Sequence, residues 1–252
     1  CDHRGISLVV QSTPPLEGNR RITNNVSSSH PFVSIAVPAY NADKTIQAMI
    51  ASVLAQTYSN FELIICDDAS TDNTAAIIEG VGDERVCLLR NAHNMGEGAS
   101  REHAISACRG AWIAVLDADD IWHPDRLEKL IEAAATDVDV MVFDDIMECH
   151  NTAKGLKSWR RLRGRMAFDA KAGMAIDVDP AVWVRCERLL IKPLIPATLL
   201  RASGVRHSEL QFGADTEFFL KLIAHGMRLR YLPEPYYYYR ITPGSMSSLP
   251  TR

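Results

Sequence analysis

Trp112-Ile113-Ala114-Val115-Leu116-Asp117-Ala118-Asp119-Asp120 is the stretch that decides how this chain folds. Five apolar residues run straight into three carboxylates, the pattern of a strand covered on both faces that ends in a polar turn. In open α/β sheets, ligands bind just beyond the carboxyl ends of the strands. Like charges crowded there repel and are poorly solvated unless a cation neutralises them. Read alone, the same residues serve equally well as a polar loop capping the helix that begins near Pro124.

The flanking sequence favours the strand. Upstream, Phe32 to Val37 reads as a strand stopped by Pro38. A helix follows, with Ile46, Met49, Ile50, Val53 and Leu54 on one face and Asn41 or Asp43 as its cap. Phe61 to Cys66 is a second strand, and Ser70 caps a helix that Gly80 ends. Arg85 to Leu89 is a third strand and Gly98 to Cys108 another helix. Downstream come a helix from Pro124 to Ala135, a strand from Asp139 to Met147, a basic stretch, and helices at Pro196–Ala202 and Ala214–His225. Such alternation with short loops predicts a single α/β domain, a mostly parallel, Rossmann-like sheet flanked by helices. Residues 1–31, rich in Ser, Asn, Pro and Thr, read as a flexible N-terminal tail.

Composition narrows the function classes. The 252 residues are 47% hydrophobic and 23% charged, ordinary for a globular protein. A net charge of −4 gives no general attraction to nucleic acid. No apolar run reaches the roughly 18 residues that span a bilayer, and Cys1 to Val10 lacks the long apolar core of a secretory signal. The six cysteines never form a CxxC pair, and several sit in apolar contexts, so a cytoplasmic chain without structural disulfides is the simpler reading. The histidines show no HExxH or similar ligand spacing.

Asp67-Asp68 follows the Phe61–Cys66 strand as Asp117 to Asp120 follows Leu116, so two strands aim acidic loops at one sheet edge. A carboxylate at a strand end can accept hydrogen bonds from a base or ribose hydroxyl. A second acidic cluster can hold Mg²⁺ or Mn²⁺, hard ions that choose oxygen and bridge phosphates. Together they describe a site for a nucleotide diphosphate and its metal.

Several motifs in order carry a resemblance. Val37-Pro38-Ala39-Tyr40-Asn41-Ala42, Ser52 to Thr57, and Asp67-Asp68-Ala69-Ser70-Thr71-Asp72-Asn73-Thr74 are similar to family 2 glycosyltransferases. Leu116 to Asp120 resembles that family's DxD element, and Pro124-Asp125-Arg126-Leu127 follows at its usual distance. Lys192-Pro193-Leu194-Ile195 and Pro233 to Arg240 look closest to bacterial succinoglycan-type exopolysaccharide glucosyltransferases. The resemblance implies a GT-A fold with a nucleotide-sugar-binding half at 32–150 and an acceptor-binding half at 151–252. It implies that Pro38, Ala39 and Tyr40 line a uridine pocket, that Asp67 reads the uracil edge, and that Asp117 sits by the ribose. Asp119 would ligate the metal on the diphosphate, and Arg101 would face the site. Asp215 would deprotonate the acceptor hydroxyl. The implied activity is an inverting, metal-dependent transfer of a sugar, glucose first, from a UDP-sugar to a saccharide, lipid-linked acceptor.

The chain departs from that family in places. Glu102 stands where Asn is usual, Ala214 replaces the Glu before Asp215, and Thr242 stands where His is common. From spacing alone Asp215 serves equally well as an N-cap for the Phe218–Ala224 helix. Lys154 to Arg165 carries six positive charges and no acid, with Leu156, Trp159, Leu162 and Met166 at three- or four-residue spacing. It reads as a solvated loop, as an amphipathic helix lying on an anionic membrane at the inner face of the cell, or as a grip on a lipid-linked diphosphate. Tyr236 to Tyr239 reads as a strand across the sheet edge, and Trp183 and Glu187 as acceptor contacts. Two rival functions remain: a non-catalytic nucleotide-sugar binder, motivated by Ala214, and a sugar-1-phosphate nucleotidyltransferase, whose Gly-rich, Arg-containing loop Pro38 to Asn41 lacks.

Overall fold

The computed structural model describes residues 30–135, 137–152, 155–162, 168, 170–185, 190–208, 210 and 213–241. Its strands are β1 Val33–Ala39, β2 Phe61–Asp67, β3 Val86–Arg90, β4 Trp112–Val115, β5 Ile121–Trp122, β6 Val140–Thr152, β7 Gly155–Leu162, β8 Ile176–Val178, β9 Leu194–Pro196 and β10 Arg228–Arg240. The helices described are α1 Ile46–Leu54, α2 Thr74–Glu79, α3 Glu97–Ala107, α4 Arg126–Ala134, α5 Pro180–Arg185, α6 Ala197–Ser203 and α7 Ala214–Ala224.

Every residue of β1 is buried, because helices cover both sheet faces. Val33, Ile35, Val37 and Ala39 pack with Ile46, Met49, Ile50 and Val53 of α1 and Leu127 and Leu130 of α4. Ala36 points the other way, into a cluster with Ala104 and Ile105 of α3, Leu200 of α6 and Phe218, Phe219 and Leu222 of α7. That two-residue alternation makes a strand apolar throughout when both faces are covered. One sheet runs β3-β2-β1-β4-β9-β6-β10-β5, with β7 on β6 and β8 on β10.

The parallel sheet expected from the alternation holds for β3-β2-β1-β4. Beyond β4 the sheet is mixed: β9 runs antiparallel to both β4 and β6, and β6 pairs parallel with β10. The antiparallel β9 matters for the site, because it carries its N-terminal end toward the C-terminal end of β4. β10 is an interior strand, with β6 on one side and β5 and β8 on the other, so Tyr236 to Tyr239 do not cross a sheet edge.

Two cap assignments are corrected. Neither Asn41 nor Asp43 caps α1, and Ser70 does not cap α2. Asp72 does the local work at α2, its Oδ1 accepting from Thr74 N at 2.9 Å. The other polar residues stitch the loop after β1 to the loop after β2. Asn41 N donates to Ser70 Oγ at 2.9 Å, Ala42 N to Thr74 Oγ1 at 2.7 Å, Asp43 N to Asp72 Oδ2 at 3.1 Å, and Thr71 N to Asn41 Oδ1 at 2.9 Å. Asn41 reaches its partner from the left-handed region, at φ 48°, which Asn tolerates better than most residues.

The basic stretch is corrected too. Gly155 to Leu162 is a strand antiparallel to β6, neither helix nor loop. β9 covers β6 only at Val142, and further along β6 Ile146 to Thr152 offer β7 the edge that β10 does not use, a backbone ladder that overrides the helical spacing. Residues 154 and 163–166 of that stretch lie outside the described residues, as do 1–29 of the expected tail, Glu187 and Thr242. His30 and Pro31 are tied down: Asn60 Nδ2 donates to His30 O at 2.9 Å, and the Tyr58 hydroxyl donates to Pro31 O. No helix among the described residues is long and apolar enough to cross a membrane.

At the far end of the sheet from the acidic loops, Glu62 closes a polar knot. It accepts from Ser34 Oγ at 2.6 Å and from Arg109 N and Nη2 at 2.8 and 2.6 Å.

Candidate active site

The carboxyl ends of β1, β2 and β4 lie side by side, since Ala39 pairs with Asp67 and Ala36 with Val115. Pro38 and Ala39 are buried in β1, while Tyr40 stands 50% exposed at its end. Asp67 is 0% exposed. Its Oδ2 takes a 3.3 Å contact from Arg90 Nε, while its Oδ1 is buried without a hydrogen-bond partner. An unmet carboxylate oxygen beside an exposed aromatic ring is the pairing a planar N–H donor such as a nucleobase would satisfy. Asp68 is consumed internally. It accepts from Met95 N, Gly96 N and Asn91 Nδ2, each at 2.8 Å, which fixes the entry to α3.

From α3, Arg101 reaches beneath the acidic loop, donating to Asp117 Oδ1 at 2.9 Å and to Glu97. Lys192, two residues before β9, arrives from the opposite side. Its side chain is 3% exposed, and its ammonium contacts Asp117 Oδ2 at 2.7 Å and Asp215 Oδ2 at 2.8 Å. Asp215 lies in the first turn of α7, where the helix dipole favours its charge. It makes no cap hydrogen bond, so the N-cap reading of Asp215 is not what the helix uses. Arg101 Nε stands 3.8 Å from Asp215 Oδ1. Two cations thus hold two carboxylates that chain order separates widely. Burial alone would raise both carboxyl groups, but Lys192 and Arg101 outweigh it and hold Asp117 and Asp215 below the usual range. The same carboxylates hold Lys192 and Arg101 firmly charged despite burial.

The remaining acids of the loop separate by environment. Asp120 is fully buried, accepting from the Tyr237 hydroxyl at 2.6 Å and from Arg240 N at 2.8 Å. Burial and the charges of Asp117 and Asp119 push its carboxyl well up. Asp119 is half-buried, and burial together with Asp117 pushes it up to about 6. A charge there is poorly compensated, which is what a divalent cation would relieve. Among the described residues no three His, Cys, Asp or Glu side chains gather as an all-protein cage would. One carboxylate plus substrate phosphates is, however, a usual way to hold Mg²⁺, and Asp119 fits that donor set.

Glu102, whose role the sequence left open, is engaged by His207. Its Oε1 accepts from His207 N at 2.9 Å and pairs with His207 Nδ1 at 2.6 Å. The imidazole stacks on Phe218, centroids 3.8 Å apart and planes 13° apart, and turns Nε2 toward Asp215 Oδ1 at 3.7 Å. Trp183, expected near an acceptor, is buried in the cluster beneath α6 and α7.

The family model described as Glycosyl transferase family 2 matches residues 34–186. The chain belongs to glycosyl transferase family 2. Within that family it is 32% identical over 220 residues to the succinoglycan biosynthesis protein ExoO of Rhizobium meliloti, a match covering 86% of this chain and 63% of ExoO. Over 100 residues it is 48% identical to the Escherichia coli UDP-Glc:alpha-D-GlcNAc-diphosphoundecaprenol beta-1,3-glucosyltransferase WfgD, covering 40% of each. Among solved structures, Staphylococcus aureus TarS 1–349 in complex with UDP-GlcNAc superposes with a TM-score of 0.70 at 23% identity, over 87% of this chain and 62% of that one. That likeness is one of fold, and the fold is GT-A-like. The chain therefore spans less than two thirds of these relatives.

Arg101, Asp117 and Asp215, named from family 2 motifs, are in one cluster. Pro38, Ala39, Tyr40 and Asp67 form a second group at the neighbouring strand ends. Two residues of the cluster had no assigned role in sequence: Lys192 and His207. For Lys192 a signal exists, a single cation within Leu189-Leu190-Ile191-Lys192-Pro193-Leu194-Ile195, because a lysine in so apolar a run must find buried partners. His207 has no local signal; its partner Glu102 is 105 residues away.

Proposed function

We propose that this protein is an inverting glycosyltransferase that moves a sugar, glucose first among candidates, from a UDP-sugar to a saccharide acceptor in polysaccharide biosynthesis. A lipid-linked acceptor is the favoured class, in line with the diphosphoundecaprenol named for WfgD. The enzyme would work on the cytoplasmic side, peripheral to the membrane. The observation that carries the reading is the approach of Asp215 to the acidic loop, both carboxylates sharing the Lys192 ammonium.

In this reading Tyr40 supports the uracil ring and Asp67 Oδ1 accepts from its edge. Arg101 and Lys192 orient Asp117 at the ribose side. Asp119 would hold Mn²⁺ or Mg²⁺ against the diphosphate, and the ion supplies Lewis-acid stabilisation of the leaving group. Asp215 is the catalytic base: it accepts the proton of the acceptor hydroxyl as that oxygen attacks the anomeric carbon from the face opposite the diphosphate. Such a displacement inverts the anomeric centre and accords with the beta linkage named for WfgD.

A non-catalytic binder is the second reading. Ala214 in place of the usual Glu favours it, as does the tight hold of Lys192 on Asp215. UDP release from UDP-glucose and other UDP-sugars in the presence of Mn²⁺ separates the two. Asp215→Asn should abolish transfer while UDP affinity stays within a few-fold of wild type, and near-normal turnover would remove Asp215 as the base. Asp119→Ala should lose metal-dependent UDP binding. Tight UDP binding without turnover of any UDP-sugar would establish the binder.

A further inference from the structure

We propose that Glu102 and His207 form a proton relay behind Asp215, with His207 Nε2 receiving the proton that Asp215 takes from the acceptor hydroxyl. The inference rests on the reading of Asp215 as the base and adds two residues to it. His207 acts through Asp215 and is therefore a positioning residue.

The geometry has three parts. Glu102 Oε1 engages both the backbone N–H and Nδ1 of His207, so Nδ1 is the donor toward Glu102 and, in the neutral ring, Nε2 is the acceptor. The ring cannot swing away, because Phe218 stacks against it from the same helix that carries Asp215. The His207 side chain is 1% exposed, and among the described residues its Nε2 has no hydrogen-bond partner while facing Asp215 Oδ1 at 3.7 Å. A buried, aimed and unmet ring nitrogen needs an explanation beyond packing.

Chemistry supplies one. Lys192 and Arg101 keep Asp215 charged, and for that reason they make it a weak base that holds a proton poorly. Imidazole is intrinsically more basic than a carboxylate, so a ring nitrogen aimed at Asp215 can take the proton from it. The acceptor O–H bond breaks as its oxygen bonds to the anomeric carbon, and the bond from that carbon to the diphosphate breaks with its electron pair leaving on UDP. The proton passes to Asp215 Oδ1 and on to His207 Nε2, giving an imidazolium paired with Glu102; it returns by way of the partly exposed Asp215 to water as product departs. The charged groups facing the ring are Glu102 from α3, with Arg206 at 3.4 Å from Glu102 Oε2, and Asp215 from α7, itself held by Lys192 and Arg101. Glu102 thereby has a task that the Asn usual at this position could not perform, since an amide can accept from the imidazolium but brings no counter-charge.

The test is the pH dependence of kcat/KM for wild type, His207→Gln and Glu102→Gln with the UDP-sugar that wild type turns over, alongside UDP affinity and thermal stability. Wild type should gain activity with rising pH along one limb of its profile. His207→Gln should lose that limb and about 10²-fold in rate, with UDP affinity unchanged. Glu102→Gln should move the limb to lower pH, because the imidazolium loses its counter-charge, and it carries the test alone if His207→Gln does not fold. A wild-type limb and rate in His207→Gln would overturn the relay and leave Asp215 as base. A rate loss with the limb intact and UDP affinity lost in parallel would make His207 structural only and likewise overturn it. Near-normal turnover by Asp215→Asn, or none by wild type, would instead overturn the underlying reading and the relay with it.

Discussion

Replacing Lys192 with Met removes one buried ammonium and leaves two carboxylates, Asp117 and Asp215, that had shared it at 2.7 and 2.8 Å. Methionine fills much of the same volume, so the effect is mainly one of charge. Deleting one partner of a buried ion pair costs about 3–5 kcal/mol. Arg101 still contacts Asp117 and lies near Asp215, which places the expected loss at the lower end, about 3 kcal/mol. For a domain of this size that corresponds to a fall in Tm of about 6–12 °C. The sign with pH is equally specific. In wild type both carboxyl groups are held below the usual range, so their stabilisation is fully present above the unfolded pKa of about 3.9 and is lost as pH falls below it. Without Lys192, burial and mutual repulsion raise at least one of them, and its cost grows as pH rises through the carboxylate range. The gap between wild type and variant should be widest near neutrality and should narrow on acidification. Thermal unfolding followed by circular dichroism from about pH 4 to about pH 8 measures it. Adding Asp215→Asn to Lys192→Met should recover a large part of the loss, because the second uncompensated charge is gone. A neutral-pH change below about 2 °C, a gap that widens with acid, or a double variant no better than Lys192→Met would refute the account.

Two further substitutions probe the scaffold. Tyr237→Phe strips Asp120 of its 2.6 Å hydroxyl partner and should cost about 1–3 kcal/mol in chemical denaturation; a neutral result would mean the acidic loop is held by other contacts. Glu62→Gln at the opposite end of the sheet should cost about 1–2 kcal/mol at neutral pH. Burial would raise the Glu62 carboxyl, but Ser34 and Arg109 hold it below its usual range, so its contribution is lost as pH falls and the variant should match wild type in acid. A deficit in Glu62→Gln that persists in acid would assign the effect to packing.

β1 and β4 were legible because a strand covered on both faces is mostly apolar, and Val33 to Val37, Ser34 apart, and Trp112 to Leu116 carry that imprint. Asp67, Asp117 and Asp119 were legible for a related reason, since charge directly after such a run has few places to go but the strand ends. Arg101 and Asp215 were named only through family resemblance. Nothing local distinguishes Asp215 from a helix cap until Lys192 is found beside it. The polar residues of the loops after β1 and β2 were misread because Asn, Ser and Asp look the same whether they cap a helix or bond a neighbouring loop. Gly155 to Leu162 was misread because its pairing depends on how far β6 extends, and a spacing of three or four says nothing about an unpaired neighbour.

The partners of Asp120 have a consequence for how the protein reaches its native state. Tyr237 and Arg240 lie 117 and 120 residues further along the chain. During synthesis, which proceeds at about 5–20 residues per second, Asp120 therefore emerges several seconds before either partner exists. Closing so long a loop is entropically costly, and structures that depend on such closures form late. The parallel strands β3-β2-β1-β4 need only the first half of the chain. The acidic loop is fastened by one of the last described strands, β10, so a nascent chain can build its first strands while Asp120 still lacks these partners.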